Sequence, residues 1–116
     1  YYNLCDVFCM PSYFEAYGLV FAEALTYGLP CIGRDKFAMS EFIEDRCTGR
    51  LISGEDAEEL ALDLWEVLRD PKYREEVERR REWYLREYSW DKVAQRICSV
   101  MEKNERDKDQ YRSAGV

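Results

Sequence analysis

The sequence contains no histidine. Its five cysteines fall at irregular spacings without a Cys-x-x-Cys pair. Both absences argue against a protein-held transition metal, and the odd cysteine count argues against a disulfide framework. On a strand, Cys5 and Cys9 would share a face about 13 Å apart at ~3.3 Å per residue, too far to bridge. A reducing, cytoplasmic setting is the reading that follows. No apolar run approaches the ~20 residues of a membrane-spanning helix, and no basic start leads into an apolar stretch as in a secretory leader. The net charge of −7 leaves no basic excess with which to hold nucleic acid or an anionic membrane surface. Prolines are scarce, three in all, and act as punctuation together with six glycines.

What is present is an ordinary globular complement for 116 residues, with 47% apolar and 15% aromatic side chains, enough for the core of one small domain. Segment 4–10 is nearly continuous apolar residues ended by Pro11, which predicts a strand buried on both faces of a parallel sheet. Because that strand begins so close to Tyr1, the expectation is that a longer fold precedes it. Residues 18–27 carry Leu19, Phe21, Ala22, Ala24 and Leu25 and stop at Gly28 before Pro30, a helix with a clear end. Short strands are predicted at 30–33 and 50–52, with a helical turn at 40–45. Alternation of this kind implies parallel pairing through right-handed crossovers, hence an α/β three-layer fold.

From Asp56, a helix cap, apolar residues recur at helical spacing to Leu68, and Asp70-Pro71 closes that helix. The next helix puts Tyr73, Val77 and Tyr84 on one side and a solvated charge run on the other. Ser89 caps a third, with Trp90, Val93, Ala94, Ile97 and Met101 as its stripe. Residues 1–104 are read as one partial domain, 1–54 its strand-helix part and 55–104 its helices. The charged residues 105–116 are read as a disordered tail. Trp65, Trp83 and Trp90 are read as core or interdomain packing. Three parallel strands leave an open edge, which predicts either strand pairing or swapping between copies, as in a homodimer, or a marginal monomer.

The informative stretch is Pro11-Ser12-Tyr13-Phe14-Glu15-Ala16-Tyr17-Gly18-Leu19-Val20-Phe21-Ala22-Glu23, which joins the C-terminal end of a strand to a helix start. Ligands bind at that edge of open α/β sheets. The amides of Gly18, Leu19 and Val20 lack intrahelical acceptors, and the helix dipole favours an anion there. Two carboxylates, Glu15 and Glu23, frame the start, and a carboxylate can chelate a vicinal diol. Phosphate-binding amides beside diol-binding carboxylates suggest a nucleotide-sugar. Glu15 has a plainer reading as an acid favoured near a helix N-terminus, and Glu23 as a solvent-facing carboxylate. Arg34 and Lys36 follow the second strand, where loop charges usually face water. Asp6 reads as a structural acceptor.

At these residues the chain resembles the retaining glycosyltransferases of family 4, whose GT-B fold sets two Rossmann-like domains across a cleft. The signature Glu-x7-Glu within Pro-Ser-x-x-Glu-x-Phe-Gly runs from Glu15 to Glu23, with Tyr17 where the family usually has Phe. Gly28-Leu29-Pro30, Glu41, Gly49, Asp70-Pro71 with Arg74, and Ser89-Trp90 follow in family order. The resemblance implies part of the Rossmann-like, donor-binding C-terminal domain of such an enzyme. It implies transfer of a hexose from a UDP- or GDP-sugar to a glycan or lipid acceptor, with no cofactor and no metal. Carried over residue by residue, Glu23 would hold the ribose hydroxyls. Glu15, the catalytic candidate, would contact the donor sugar, and Tyr17 with the amides of Gly18, Leu19 and Val20 would line the diphosphate or sugar site. The resemblance also implies an N-terminal partner domain carrying the acceptor loops and the family's basic pair, inactivity of this piece alone, and a parent able to work at a membrane face. Two other readings share these residues: a non-catalytic or inert nucleotide-sugar module, and a piece of a GT-B-like sugar-nucleotide epimerase.

Overall fold

A computed structural model describes the backbone of residues 1–113 and the side chains of residues 1–104. The described residues form two compact units, divided between Tyr84 and Leu85. The chain opens with a 3-10 turn, Tyr2–Leu4, and continues through β1 (Phe8–Cys9), α1 (Leu19–Thr26), β2 (Cys31–Arg34), α2 (Met39–Phe42), β3 (Gly49–Ile52), α3 (Ala57–Arg69), α4 (Lys72–Glu87) and α5 (Trp90–Ser113). The three strands form a parallel sheet in the order β1-β2-β3. Register is set by Phe8 opposite Cys31 and Cys31 opposite Gly49.

Strand alternation explains the layering. Ile32 and Ile52 project to one face and form a core with Val67 of α3 and Tyr73 of α4, flanked by Val7, Leu60 and Leu64. Gly33 faces the other side, where a Cβ would meet Ile43 at 2.9 Å and Met39 at 3.3 Å. The sheet therefore sits between helices on both faces, the three-layer Rossmann-like half of a GT-B fold that the sequence implies. The buried residues of α1, Phe21, Ala22, Ala24 and Leu25, complete the core.

Helix ends follow their local chemistry. Gly28, at φ 79°, terminates α1, and the Leu29 amide returns to the Ala24 carbonyl at 3.0 Å. Arg81 donates its Nε to the Thr26 carbonyl at 2.9 Å, a cation at the negative end of α1. Asp56 accepts the Glu58 amide at 2.9 Å and caps α3. The Ser89 hydroxyl accepts the Lys92 amide at 3.2 Å at the start of α5.

Three expectations are corrected. The strand predicted over 4–10 is only two residues long and not buried on both faces: Cys9 and Leu4 are exposed. Residues 2–4 coil into the 3-10 turn, and β1 has one neighbour in the sheet, so no second ladder extends it. Residues 105–113, read as a disordered tail, continue α5. No Gly or Pro interrupts them, and Glu, Arg, Lys and Gln are good helix formers; residues 114–116 lie outside the described residues. The three tryptophans are not core within this chain, being 46–84% exposed.

Candidate functional site

Parallel pairing brings the β1–α1 loop, the β2–α2 loop and the β3–α3 loop to one edge of the sheet, the carboxyl ends of the strands. The first of these loops turns into α1 at Gly18, a buried residue in the left-handed region with φ 72° and ψ 33°. A Cβ there would meet Phe21 Cδ2 at 3.2 Å and both Glu15 Cγ and Phe42 Cε2 at 3.4 Å. Backbone conformation and space both call for glycine. Glu15, half-buried, turns back onto this start: its Oε1 accepts the Gly18 amide at 3.0 Å and the Tyr17 amide at 3.4 Å. These contacts match the plainer reading of Glu15, an acid held at a helix N-terminus. The next amides, of Leu19 and Val20, have no acceptor among the described residues. They head a helix whose dipole is positive at that end.

Glu23 lies on the second turn of α1 with its side chain exposed, accepting the Tyr2 hydroxyl at 3.0 Å. Burial and the neighbouring carboxylate push the Tyr2 phenol above its usual range. Tyr2 also stacks on Tyr27, ring centroids 5.2 Å apart. The loop therefore gathers Glu15, Tyr17, Gly18, Leu19 and Val20 at one point, while Glu23 stands further along the helix in a separate hydrogen bond. Tyr17 is 65% exposed and meets Phe42 edge-on at 6.4 Å.

The model of the family described as glycosyl transferases group 1 matches residues 1–83 of this chain. The chain belongs to that family. It is 29% identical over 99 residues to a D-inositol 3-phosphate glycosyltransferase of Salinispora tropica, covering 85% of this chain and 20% of that one. To a phosphatidyl-myo-inositol mannosyltransferase of Mycobacterium leprae it is 33% identical over 98 residues, covering 84% of this chain and 26% of the relative. A solved pneumococcal O-GlcNAc transferase, in complex with UDP and GlcNAc, superposes with a TM-score of 0.65 at 28% identity over 86% of this chain and 22% of that one. This chain thus spans about a fifth to a quarter of the length of these glycosyltransferases.

In this member of the group 1 family, one residue of the edge departs from its sequence reading. Arg34 is not a wet loop charge: it is 8% exposed. Its Nε donates to the Pro11 carbonyl at 3.2 Å and its Nη1 to the Gly54 carbonyl at 2.6 Å, while its guanidinium lies 4.6 Å from the centre of the Tyr13 ring. Sequence reasoning missed it because those partners sit in loops 23 and 20 positions away. Phe37 is also unanticipated. Its φ of 56° is unusual for a bulky side chain, and its exposed ring meets Phe14 at 5.2 Å.

A cavity of about 870 Å³ lies elsewhere, at the amino ends of the strands, lined by Asp6, Pro30, Val67, Asp70, Arg74 and Glu78 among others. There Asp6 serves the structural role predicted for it, pairing with Arg74 at 2.9 Å. Asp6 and Arg74 pair with one another, while Asp70 pairs with Lys72, Arg79 with Glu76 and Glu78 with Arg81, so most of its charged groups already have a partner. Size therefore does not outweigh the chemistry of the carboxyl edge. Among the described residues no cluster of three His, Cys, Asp or Glu could hold a metal, and no helix is long and apolar enough to cross a membrane.

Proposed function

We propose that this chain is a donor-binding fragment of a retaining glycosyltransferase of family 4, and that its Glu15-to-Glu23 segment is that family's Glu-x7-Glu motif. The observation that carries the reading is the start of α1: the open amides of Leu19 and Val20, at the carboxyl edge of a parallel sheet, beside the Glu15 and Glu23 carboxylates. Such amides suit the diphosphate of a UDP- or GDP-sugar. The UDP and GlcNAc held by the pneumococcal relative, and the glycosyl transfer named for the inositol-phosphate and mannosyl relatives, support the same class of ligand.

On this reading Glu23 exchanges the Tyr2 hydroxyl for the ribose diol, and Glu15 moves from its capping contacts to the hydroxyls of the donor sugar. That release frees the Gly18 amide to join those of Leu19 and Val20. Leaving-group charge on the diphosphate is then met by preorganised amides, which need little reorganisation as charge develops. Transfer proceeds by front-side displacement with retention, to a glycan or lipid acceptor held by an N-terminal domain. The cytoplasm is the proposed compartment, with the parent enzyme at a membrane face. The open edge of β1 is the proposed surface for pairing with a second copy or with further strands of the parent.

Calorimetric titration with UDP, GDP, UDP-glucose and GDP-mannose tests the proposal. One nucleotide series should bind saturably, and Glu23→Ala should weaken it by about 1–3 kcal/mol, the scale of a lost charged hydrogen bond. Binding untouched by Glu23→Ala would remove Glu23 from the site.

A further inference from the structure

Two arginines of this chain are largely withdrawn from solvent, and their partners are opposite in kind. Arg50 of β3 is surrounded by carboxylates: Asp45 at 3.2 Å, Asp63 at 2.9 Å and Glu66 at 2.6 Å. Arg34, only 8% exposed, forms no ion pair with any described residue. Its partners are two backbone carbonyls, of Pro11 and Gly54, and the face of Tyr13. Its Nη2 donates no hydrogen bond among the described residues. A buried cation ordinarily finds a counter-ion, because carbonyl dipoles replace only part of the lost hydration. The counter-ion for Arg34 is not among the described residues.

Placement says which anion fits. Arg34 ends β2 at the carboxyl edge, and its two carbonyl contacts fasten it to the loops following β1 and β3. The first of those loops runs from Pro11 into Gly18 and the open amides of α1. With Nε and Nη1 anchored and the ring of Tyr13 against the guanidinium plane, the side chain is held in one orientation. A planar guanidinium fixed in this way is suited to phosphate oxygens.

We infer that Arg34 is an anion-binding residue of the carboxyl edge, taking a phosphate of the nucleoside diphosphate through its unanchored Nη2 face. This rests on the donor-site reading above for the identity of the nucleotide, but not for the anion itself. Lys36, exposed two residues on, has no comparable anchorage.

The test is a nuclear magnetic resonance titration of the chain with inorganic diphosphate, UDP and uridine, on the native sequence, Arg34→Gln and Arg34→Lys. Arg34→Gln should weaken diphosphate and UDP about tenfold to a hundredfold and leave uridine within about twofold, the signature of one lost charged contact. Arg34→Lys, which keeps the charge, should recover part of the diphosphate affinity even if the glutamine variant folds poorly. Equal losses for UDP and uridine would make Arg34 a purely structural strap and overturn the inference. So would diphosphate binding unchanged in Arg34→Gln, or no diphosphate binding by the native chain. Diphosphate binding that depends on Arg34 in a chain that gains nothing from the nucleoside would sustain the inference and sink the donor-site reading.

Discussion

Gly18→Ala perturbs the candidate site with a single methyl group, and its cost can be worked from the structure. At φ 72° the residue occupies the left-handed region, which costs an L side chain roughly 1–2 kcal/mol. The new Cβ would also lie 3.2 Å from Phe21 Cδ2, and Phe21 is fully buried, so the ring must give by a few tenths of an ångström. Together these predict destabilisation of about 2 kcal/mol. With a urea dependence on the order of 2 kcal/mol per molar, the unfolding midpoint should fall by roughly 1 M. Gly28→Ala is the control. Its φ is similar at 79°, but the Cβ would meet only the Glu78 carboxylate, a flexible side chain, at 2.5 Å. It should cost about 1 kcal/mol from backbone conformation alone and leave nucleotide affinity unchanged, whereas Gly18→Ala should lower both stability and affinity. Equal midpoints for Gly18→Ala and the native chain would refute the steric argument, and equal nucleotide affinity would refute the close approach of ligand to this turn.

Two further predictions concern the scaffold. Arg50→Met leaves the buried carboxylate of Asp63 without its guanidinium, and urea unfolding should show a loss of about 3–5 kcal/mol; a loss below about 1 kcal/mol would mean that the cluster around Arg50 is dispensable. Acid should weaken the fold through Glu76, whose carboxyl the Arg79 hydrogen bond, with Arg80 beside it, holds down at about 2 against an ordinary 4.5. A carboxyl depressed in the folded state contributes stability above its unfolded value that is lost as pH falls, here between 4.5 and about 2. Glu76→Gln should flatten that part of a plot of urea midpoint against pH, and an unchanged slope would contradict the assignment.

Features whose causes are local were legible in the sequence. Gly18, Gly28, Asp56 and Ser89 mark helix ends because their conformations or caps involve neighbours within a few residues. The stripe of Tyr73, Val77 and Tyr84 is buried as its helical spacing requires. Features set by distant neighbours were not legible. An apolar run at 4–10 cannot show that only Phe8–Cys9 finds a partner strand, since pairing depends on β2 and on what lies beyond the other edge. The environment of Arg34 is assembled from three loops, and its sequence neighbours carry no trace of Pro11 or Gly54. The stripe of α5 illustrates the same limit: Trp90, Ile97 and Met101 have helical periodicity but remain exposed. Periodicity identifies a face without identifying what covers it.

The most direct test of a nucleotide site at the start of α1 is to map backbone amide shifts of the labelled chain as UDP or GDP is added. The donor-site account predicts that the amides of Gly18, Leu19 and Val20 move most, in a saturable manner, with the Glu15 loop following as its capping contacts are released. Saturable shifts centred instead on Arg69, Arg74 and Arg79, at the opposite end of the strands, would contradict it and move the ligand to the groove there.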